Sequence, residues 1–495
     1  MDRSAILRQI QAEPACDILV IGGGATGLGT ALDAASRGYR TILVEQSDFA
    51  KATSSRSTKL IHGGVRYLRQ GNLALVKGAL RERALLLANA PHIVHPLSFL
   101  IPSRSWRETL FYGAGLKLYD LLAGKENLSP SRMLSAEEAA HRIPAVANLQ
   151  LAGGLLYQDA QFDDARLAIA LAQTAVEHGA AVVNYVRVVS LRKDAGKLSH
   201  ALARDEETGA EFEISARVII NATGVFCDSL RAMDEPSRDA VVSPSQGAHL
   251  VLPKSFLPGD TAILLPQTAD GRVLFAVPWN ERVILGTTDT PVSRISLDPK
   301  PLRDEVDFLV SHARRYLGWS ISESDILSTY AGLRPLVRVS GARKTSSLSR
   351  DHLIAVSSSG LVTVTGGKWT TYRKMAEDAV NAAVKIADLS ARPCNTAMLK
   401  LAKPSSLANF THSVPEGLLH PNLPYHWQEL HRGVHDEMAR TVEDLLARRT
   451  RASLLDSQAS CEVAPAVAAY LAQELCKDES WRRAQVAAFI EGAAK

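Results

Sequence analysis

DILVIGGGATG, residues 17–27, opens as an apolar run and closes on a G-x-G-x-x-G whose glycines are Gly22, Gly24 and Gly27. The run Asp17–Ile21 predicts a short buried strand. The Ala/Leu-rich stretch behind the glycines predicts a helix reaching Gly38, and TILVE at Thr41–Glu45 predicts a second strand. A glycine turn between a strand and a helix is the context this motif needs. The first glycine permits the tight turn, the second admits a pyrophosphate to the backbone, and the third packs helix on strand. The helix N-terminus offers free N–H groups and the positive end of its dipole to phosphates. Glu45 ends the second strand, eighteen residues past Gly27, where a carboxylate accepts from ribose hydroxyls. An acid there argues against a 2′-phosphate, and so against NADP. These residues alone leave NAD and FAD both open.

Working outward, a second α/β block spans Asp164–Val189, a helix through His178 followed by the strand AVVNYVRVV. RVII (Arg217–Ile220) is another buried strand and ends in Asn221-Ala222-Thr223-Gly224. From about Ser243 to Thr290 the pieces HLVLP, TAILLP, RVLFAVPW and RVILGTT predict an antiparallel sheet, a change of architecture. LIAV and LVTVT then precede GGKWTTYRKMA, which opens a helix, and beyond about Pro404 the chain reads as short helices and turns. The turns at Asn221–Gly224 and Val364–Gly367 favour FAD. A nicotinamide dehydrogenase completes its cofactor site within one contiguous domain, whereas a flavoprotein of this kind gathers it from both ends of the chain.

The chain has 495 residues, a formal charge of +4, 46% hydrophobic and 22% charged residues. That suggests about two to four domains and excludes a mostly disordered chain. It gives no case for nucleic acid, which calls for a strongly basic domain. Cys16, Cys227, Cys394, Cys461 and Cys476 are scattered and form no CxxC pair, so neither a disulfide framework nor a zinc site is indicated. A reducing, cytoplasmic setting fits best. The polar start MDRSAILRQIQAEPACD has no apolar signal-peptide core, and no apolar run approaches the roughly 20 residues of a membrane span. The histidines show no HExxH, so no metal is expected, and no GxSxG elbow suggests a hydrolase.

Several stretches taken together resemble one family: GGGATG with Glu45, TSSRSTKLIHGGVRYL (Thr53–Leu68), DDARL (Asp163–Leu167), NATG, PW…ILGTTD (Pro278–Asp289), AGLRPL (Ala331–Leu336), GGKWTTYRKMAE (Gly366–Glu377) and ARTVEDLLARRTR (Ala439–Arg451). The chain resembles the FAD-dependent glycerol-3-phosphate dehydrogenases of the aerobic bacterial type over essentially its whole length. The resemblance implies a D-amino-acid-oxidase-like α/β fold: a discontinuous Rossmann-like FAD domain, an antiparallel-sheet substrate domain and a C-terminal helical domain. The expected segments are residues 1–90, 151–242 and 331–398 for the FAD domain. Residues 91–150 would form a substrate or cap region, 243–330 the antiparallel sheet, and 399–495 the helical domain. It implies oxidation of sn-glycerol 3-phosphate to dihydroxyacetone phosphate through FAD, with a membrane quinone as acceptor. A homodimer and a peripheral place on the cytoplasmic membrane are further expectations. Trp369 departs from the pattern, standing where a smaller aliphatic residue is expected.

The chemistry removes a hydride from a secondary alcohol carbon and a proton from its hydroxyl. It needs a base or hydrogen-bonding group at that hydroxyl and cations for the phosphate dianion. Arg66, with Tyr67 beside it, Arg334 and Lys368 are the candidates to hold substrate; a guanidinium fork suits phosphate. By resemblance Arg66, Arg334 and Lys368 line the pocket near the flavin. His249 is the leading candidate for the base, since histidine titrates near neutrality; an arginine-bound water stays open as the alternative. His249, Arg334 and Lys368 make up the expected catalytic set. His62 and Gly63 are read as supporting the flavin ring, and Ser54, Ser55 and Thr58 as donors to the pyrophosphate. Gly224, Gly366, Gly367 and Thr370 complete the expected cofactor set.

A quinone acceptor requires contact with a bilayer. Ser103–Lys125 carries Arg104, Arg107, Lys117 and Lys125 among Trp106, Leu110, Phe111, Tyr112 and five further leucine and tyrosine positions. Such a segment can lie in the interface plane, or be an ordinary helix with its apolar face on the core. Three other readings stay open: an oxidase that reduces oxygen to peroxide, an amine or amino-acid oxidase on the same fold, and a flavin-binding protein without turnover.

Overall fold

In this computed structural model the strand Ala15–Ile21 lies between Thr41–Val44 and Glu211–Asn221, parallel to both. Ile18 to Ile21 are buried, as expected of a parallel strand covered on both faces. The structure describes residues 1–146, 149–266, 268, 273–338, 352–405 and 415–493, without the side chains of Arg66, Arg69 and Gln70. Ala181–Val183 extends this sheet on one side. Val362–Gly366 extends it on the other, followed by antiparallel His352–Val356. The hairpin Val186–Asp194 and Lys197–Asp205 joins the outer part of Glu211–Asn221. The predicted strand AVVNYVRVV is therefore two strands, broken where Tyr185 takes a φ of +55°. The helix Ala25–Ser36 packs on Tyr372–Ile386 and Asp164–Glu177.

Among the described residues the second sheet is antiparallel except for one pairing, Thr261–Leu265 with Val94–Ser103. Val242–Pro253 runs between Arg282–Gly286 and Ser328–Val337, and Val94–Ser103 pairs along its full length with Gly153–Phe162. Leu60–Ile61 closes the far edge against Gly153–Phe162. Segments 1–90, 151–242 and 331–398 thus each lend residues to this sheet before or after serving the other. The chain leaves at Phe162 and turns at once into the helix Asp164–Glu177. The Asp163 carboxylate starts that helix by accepting from the Ala165 and Arg166 N–H groups.

Segment 103–125 forms the helix Trp106–Ala123, capped by Ser105. Gly113, Leu116, Tyr119 and Ala123 face inward, while Trp106, Leu110, Phe111, Leu118 and Leu121 are exposed.

The C-terminal part is more helical than its sequence suggests. Ser457–Glu474 spans 18 residues and Glu479–Ala493 spans 15. Buried ion pairs fasten it to the first sheet's loops. Arg449 grips Asp48 with both terminal nitrogens at 2.7 and 2.8 Å, and Arg448 Nε reaches the same carboxylate at 2.5 Å. Arg451 and Lys59 share Asp164, at 3.0 and 2.7 Å.

Candidate functional site

The strand-to-helix turn after Ile21 needs its glycines. Gly22 sits at φ +112°, and a Cβ there would stand 2.7 Å from the Ala222 carbonyl oxygen; a Cβ at Gly27 would collide with the Gly22 carbonyl. The first turn and the Asn221–Gly224 turn therefore touch at the carboxyl edge of the parallel sheet, where such folds place ligands. Gly24 begins the helix Ala25–Ser36 without a side-chain cap, and Ser54 Oγ accepts from the Ala25 N–H at 2.9 Å. The Glu45 carboxylate, half-buried, accepts from Gly23 N–H at 2.6 Å and Ser47 N–H at 2.9 Å. Burial raises its pKa, and those two N–H groups pull against the rise.

A third turn closes the same edge. Thr365 Oγ1 donates to the Gly224 carbonyl at 3.2 Å, and Gly366 and Gly367 follow at φ +81° and +67°. Thr370 Oγ1 exchanges hydrogen bonds with the backbone of His62, at 3.3 Å to its N–H and 3.4 Å to its carbonyl. Trp369 explains its own bulk. Its Nε1 donates to the Ser54 carbonyl at 2.9 Å, and its ring meets Phe162 and Tyr372 edge-on. A smaller aliphatic residue would lack that bond between the closing motif and the 53–55 loop. Lys368 Nζ lies 4.3 Å from the centre of the buried Tyr67 ring. The Arg66 side chain lies outside the described residues.

The His62-Gly63-Gly64 turn rests on a buried network that the sequence did not suggest. Gly63 N–H donates to Tyr119 OH at 2.9 Å and to Asp159 Oδ1 at 3.3 Å. Tyr119 OH itself donates to Asp159 at 2.7 Å, and Arg83 pairs with the same carboxylate at 2.8 Å. Burial pushes the Asp159 pKa up in spite of Arg83. Only the inward spacing of Tyr119 with Leu116 and Ala123 on one helix face could have marked it.

The antiparallel sheet supplies the other wall. In register, His249 faces Tyr330 and Ser245 faces Arg334, so all four lie on one sheet face. His249 stacks on Tyr330, with ring centres 4.5 Å apart, and its Nε2 pairs with Thr58 Oγ1 at 2.9 Å. Its Nδ1 has no hydrogen-bond partner among the described residues. Burial, then the charges of Arg334 and Lys59, push the His249 pKa well below the usual histidine value. Arg334 donates to the Gln246 carbonyl at 3.3 Å and to Thr287 Oγ1 at 2.9 Å, with Asp289 at 3.5 Å. Gly247 makes this possible, because any Cβ there would overlap the guanidinium. Thr58, expected as a donor to the pyrophosphate, has its hydroxyl paired with His249. The Ser55 carbonyl accepts from Lys59 Nζ and Arg451 Nη2. The strand bearing Arg334 packs against Val362–Gly366 and Gly224–Phe226, and Thr53 Oγ1 donates to the Leu333 carbonyl at 2.6 Å. Cationic groups and a buried, uncharged imidazole therefore approach the edge where the three glycine turns meet.

Two family models span the chain. One, described as FAD dependent oxidoreductase, matches residues 17–373, and one described as the C-terminal domain of alpha-glycerophosphate oxidase matches 375–482. Human mitochondrial glycerol-3-phosphate dehydrogenase is 40% identical over 538 residues, covering 98% of this chain and 74% of the relative. The chain belongs to the FAD-dependent glycerol-3-phosphate dehydrogenase family. Another member, the mitochondrial enzyme of Arabidopsis thaliana, is 46% identical over 412 residues, covering 80% of this chain and 65% of that protein. The crystal structure of a Bacillus halodurans glycerol-3-phosphate dehydrogenase complexed with FAD superposes with a TM-score of 0.79 at 28% identity. It covers 99% of this chain and 97% of the other.

As in the rest of the glycerol-3-phosphate dehydrogenase family, the cofactor is FAD. The residues fit it. The Gly22–Gly27 turn leaves a bare backbone cradle, and Glu45 stands beside it with acceptor oxygens facing N–H donors.

Proposed function

We propose that the chain oxidises sn-glycerol 3-phosphate to dihydroxyacetone phosphate and passes the electrons to a membrane quinone. One observation carries this reading: Arg334 and the neutral His249 share a sheet face that meets the glycine turns, in a chain with this family membership. FAD supplies the hydride acceptor. Arg334, Lys368 and Arg66 hold the phosphate, and Tyr67 supports Lys368. This remote binding positions the reacting carbon. His249, kept uncharged, takes the hydroxyl proton, and Thr58 fixes its ring. Gly22, Gly24, Gly27, Glu45, Ser54, Gly224, Gly366, Gly367 and Thr370 would hold the cofactor, with His62 and Gly63 supporting it. Turnover with glycerol 3-phosphate and a soluble quinone analogue, without matching peroxide release in air, supports the reading. Stoichiometric peroxide instead would make the protein an oxidase, and a preference for amines would overturn the substrate.

Because His249 stays neutral well below its ordinary range, kcat/KM keeps its value as pH falls through 6.5 and drops only at lower pH. His249→Asn lowers kcat by about 10²–10⁴-fold and removes that acid limb. A variant with an unchanged pH profile would transfer the base role to water.

Among the described residues no helix is long and apolar enough to cross a membrane. Contact in the interface plane, on the cytoplasmic membrane, is the reading favoured by the exposed face of Trp106–Ala123. Trp106 is 65% exposed, Phe111 60% and Leu121 76%, with Arg104 and Arg107 at the Trp106 end. Changing Leu110, Phe111 and Leu121 to Ser should release the protein from membranes into the carbonate-soluble fraction with turnover on a soluble acceptor intact. Undiminished retention would remove this helix from the interface.

A further inference from the structure

We infer that His431, His435 and Glu474 form a site for a divalent transition metal of the zinc, nickel or cobalt class, joining two helices of the C-terminal part. His431 and His435 stand four residues apart on Trp427–His435, so both rings leave one helix face. Glu474 is the last residue of Ser457–Glu474. One ligand atom from each of the three lies within 4.8 Å of the others. The two imidazole centres are 4.2 Å apart, and His435 Nε2 stands 2.7 Å from Glu474 Oε2.

Tetrahedral metal bonds of about 2.0–2.2 Å place ligand atoms about 3.4 Å apart, within the spacing these three side chains already span. Two nitrogens and one carboxylate oxygen with an open fourth position suit zinc and its neighbours better than magnesium or calcium, which prefer oxygen. The outer shell is also in place. His431 Nδ1 pairs with Tyr470 OH at 2.7 Å, which fixes the ring and directs ligation to Nε2. The His435 side chain is 44% exposed, which gives an ion a path in. The sequence spacing hid the site, because Glu474 lies 39 residues beyond His435.

The site has a structural consequence. His435 leads directly into Asp436 and Glu437. The Glu437 carboxylate takes both terminal nitrogens of Arg166 at 2.7 Å, and its carbonyl accepts from Arg449. A bound ion therefore steadies the helix end from which the buried ion pairs at Asp48 are reached.

Metal-free, FAD-loaded full-length protein is titrated with Zn²⁺ by calorimetry and with Co²⁺ by visible absorption. The expected result is one ion per chain, Co²⁺ bands of tetrahedral strength and a raised Tm. His431→Gln and Glu474→Gln should each lose at least about tenfold in affinity, and Tyr470→Phe about 10–100-fold. FAD content and turnover should stay unchanged in all three. No binding at 100-fold molar excess would overturn the site. Binding equal to wild type in both ligand variants would also overturn it, placing the ion elsewhere, for example on the exposed Cys476.

Discussion

Arg334→Met lowers kcat/KM for glycerol 3-phosphate by about 10²–10³-fold while FAD stays bound. Arg334 is held by the Gln246 carbonyl, Thr287 Oγ1 and Asp289 on the face it shares with His249. The Gly22–Gly27 cradle takes its side-chain hydrogen bonds from Glu45 and Ser54, so cofactor occupancy should survive the change. With Arg334 in its proposed role as phosphate anchor, its loss lowers kcat as well as raising KM, because binding energy from that remote group orients the reacting carbon. Arg334→Lys should recover little, since an ammonium cannot reproduce a fork already bonded to two partners. Steady-state kinetics beside a flavin-to-protein ratio measure both effects. An unchanged kcat/KM would remove Arg334 from the substrate site.

Arg449→Met destabilises the protein by about 3–5 kcal/mol, because it strips a buried carboxylate of its bidentate partner. Asp48 and Arg449 have fully buried side chains. Burial alone would raise the Asp48 pKa, but Arg449 and Arg448 together outweigh it and hold the group at about 2. The folded value therefore lies below the ordinary value near 4. Its stabilisation is complete above pH 4 and is lost as pH falls through 2. Asp48 closes the loop that carries Glu45 and Ser47, and the Ala50 N–H donates to the Gly23 carbonyl at 2.9 Å. The variant should therefore lose flavin at temperatures where wild type keeps it. Denaturant melts and flavin release on heating test this. Wild-type stability with full flavin retention would show that the C-terminal part plays no role in holding the cofactor loop.

The part of this molecule that the sequence announces is the part governed by local rules. Strand, glycine turn, helix and acid at Ala15–Glu45 follow from apolar runs and from a turn that excludes side chains. The strand-like pieces between turn breaks after Ser243 marked the antiparallel sheet, and Thr261–Leu265, Leu274–Trp279 and Arg282–Gly286 prove to be buried along nearly their whole length, with a core on each face. What escaped reading is long-range. Gly153–Phe162 mixes Gln158, Asp159 and Gln161 with its apolar residues, and its pairing with Val94–Ser103 is what assigns it to the second sheet. Arg83, Tyr119 and Asp159 look like ordinary helix and strand residues until packing brings them beneath Gly63. The acids Asp48 and Asp164 likewise find their arginines some 400 and 287 residues away. At Trp369 the family pattern raised a doubt that a single hydrogen bond to the Ser54 carbonyl resolves.

The most direct test is the reductive half-reaction. The purified, FAD-loaded protein is mixed with sn-glycerol 3-phosphate in the absence of oxygen while the visible spectrum is followed. The site described above predicts bleaching of the flavin bands, with dihydroxyacetone phosphate formed in one-to-one proportion. A bound flavin that stays oxidised at saturating glycerol 3-phosphate would contradict it.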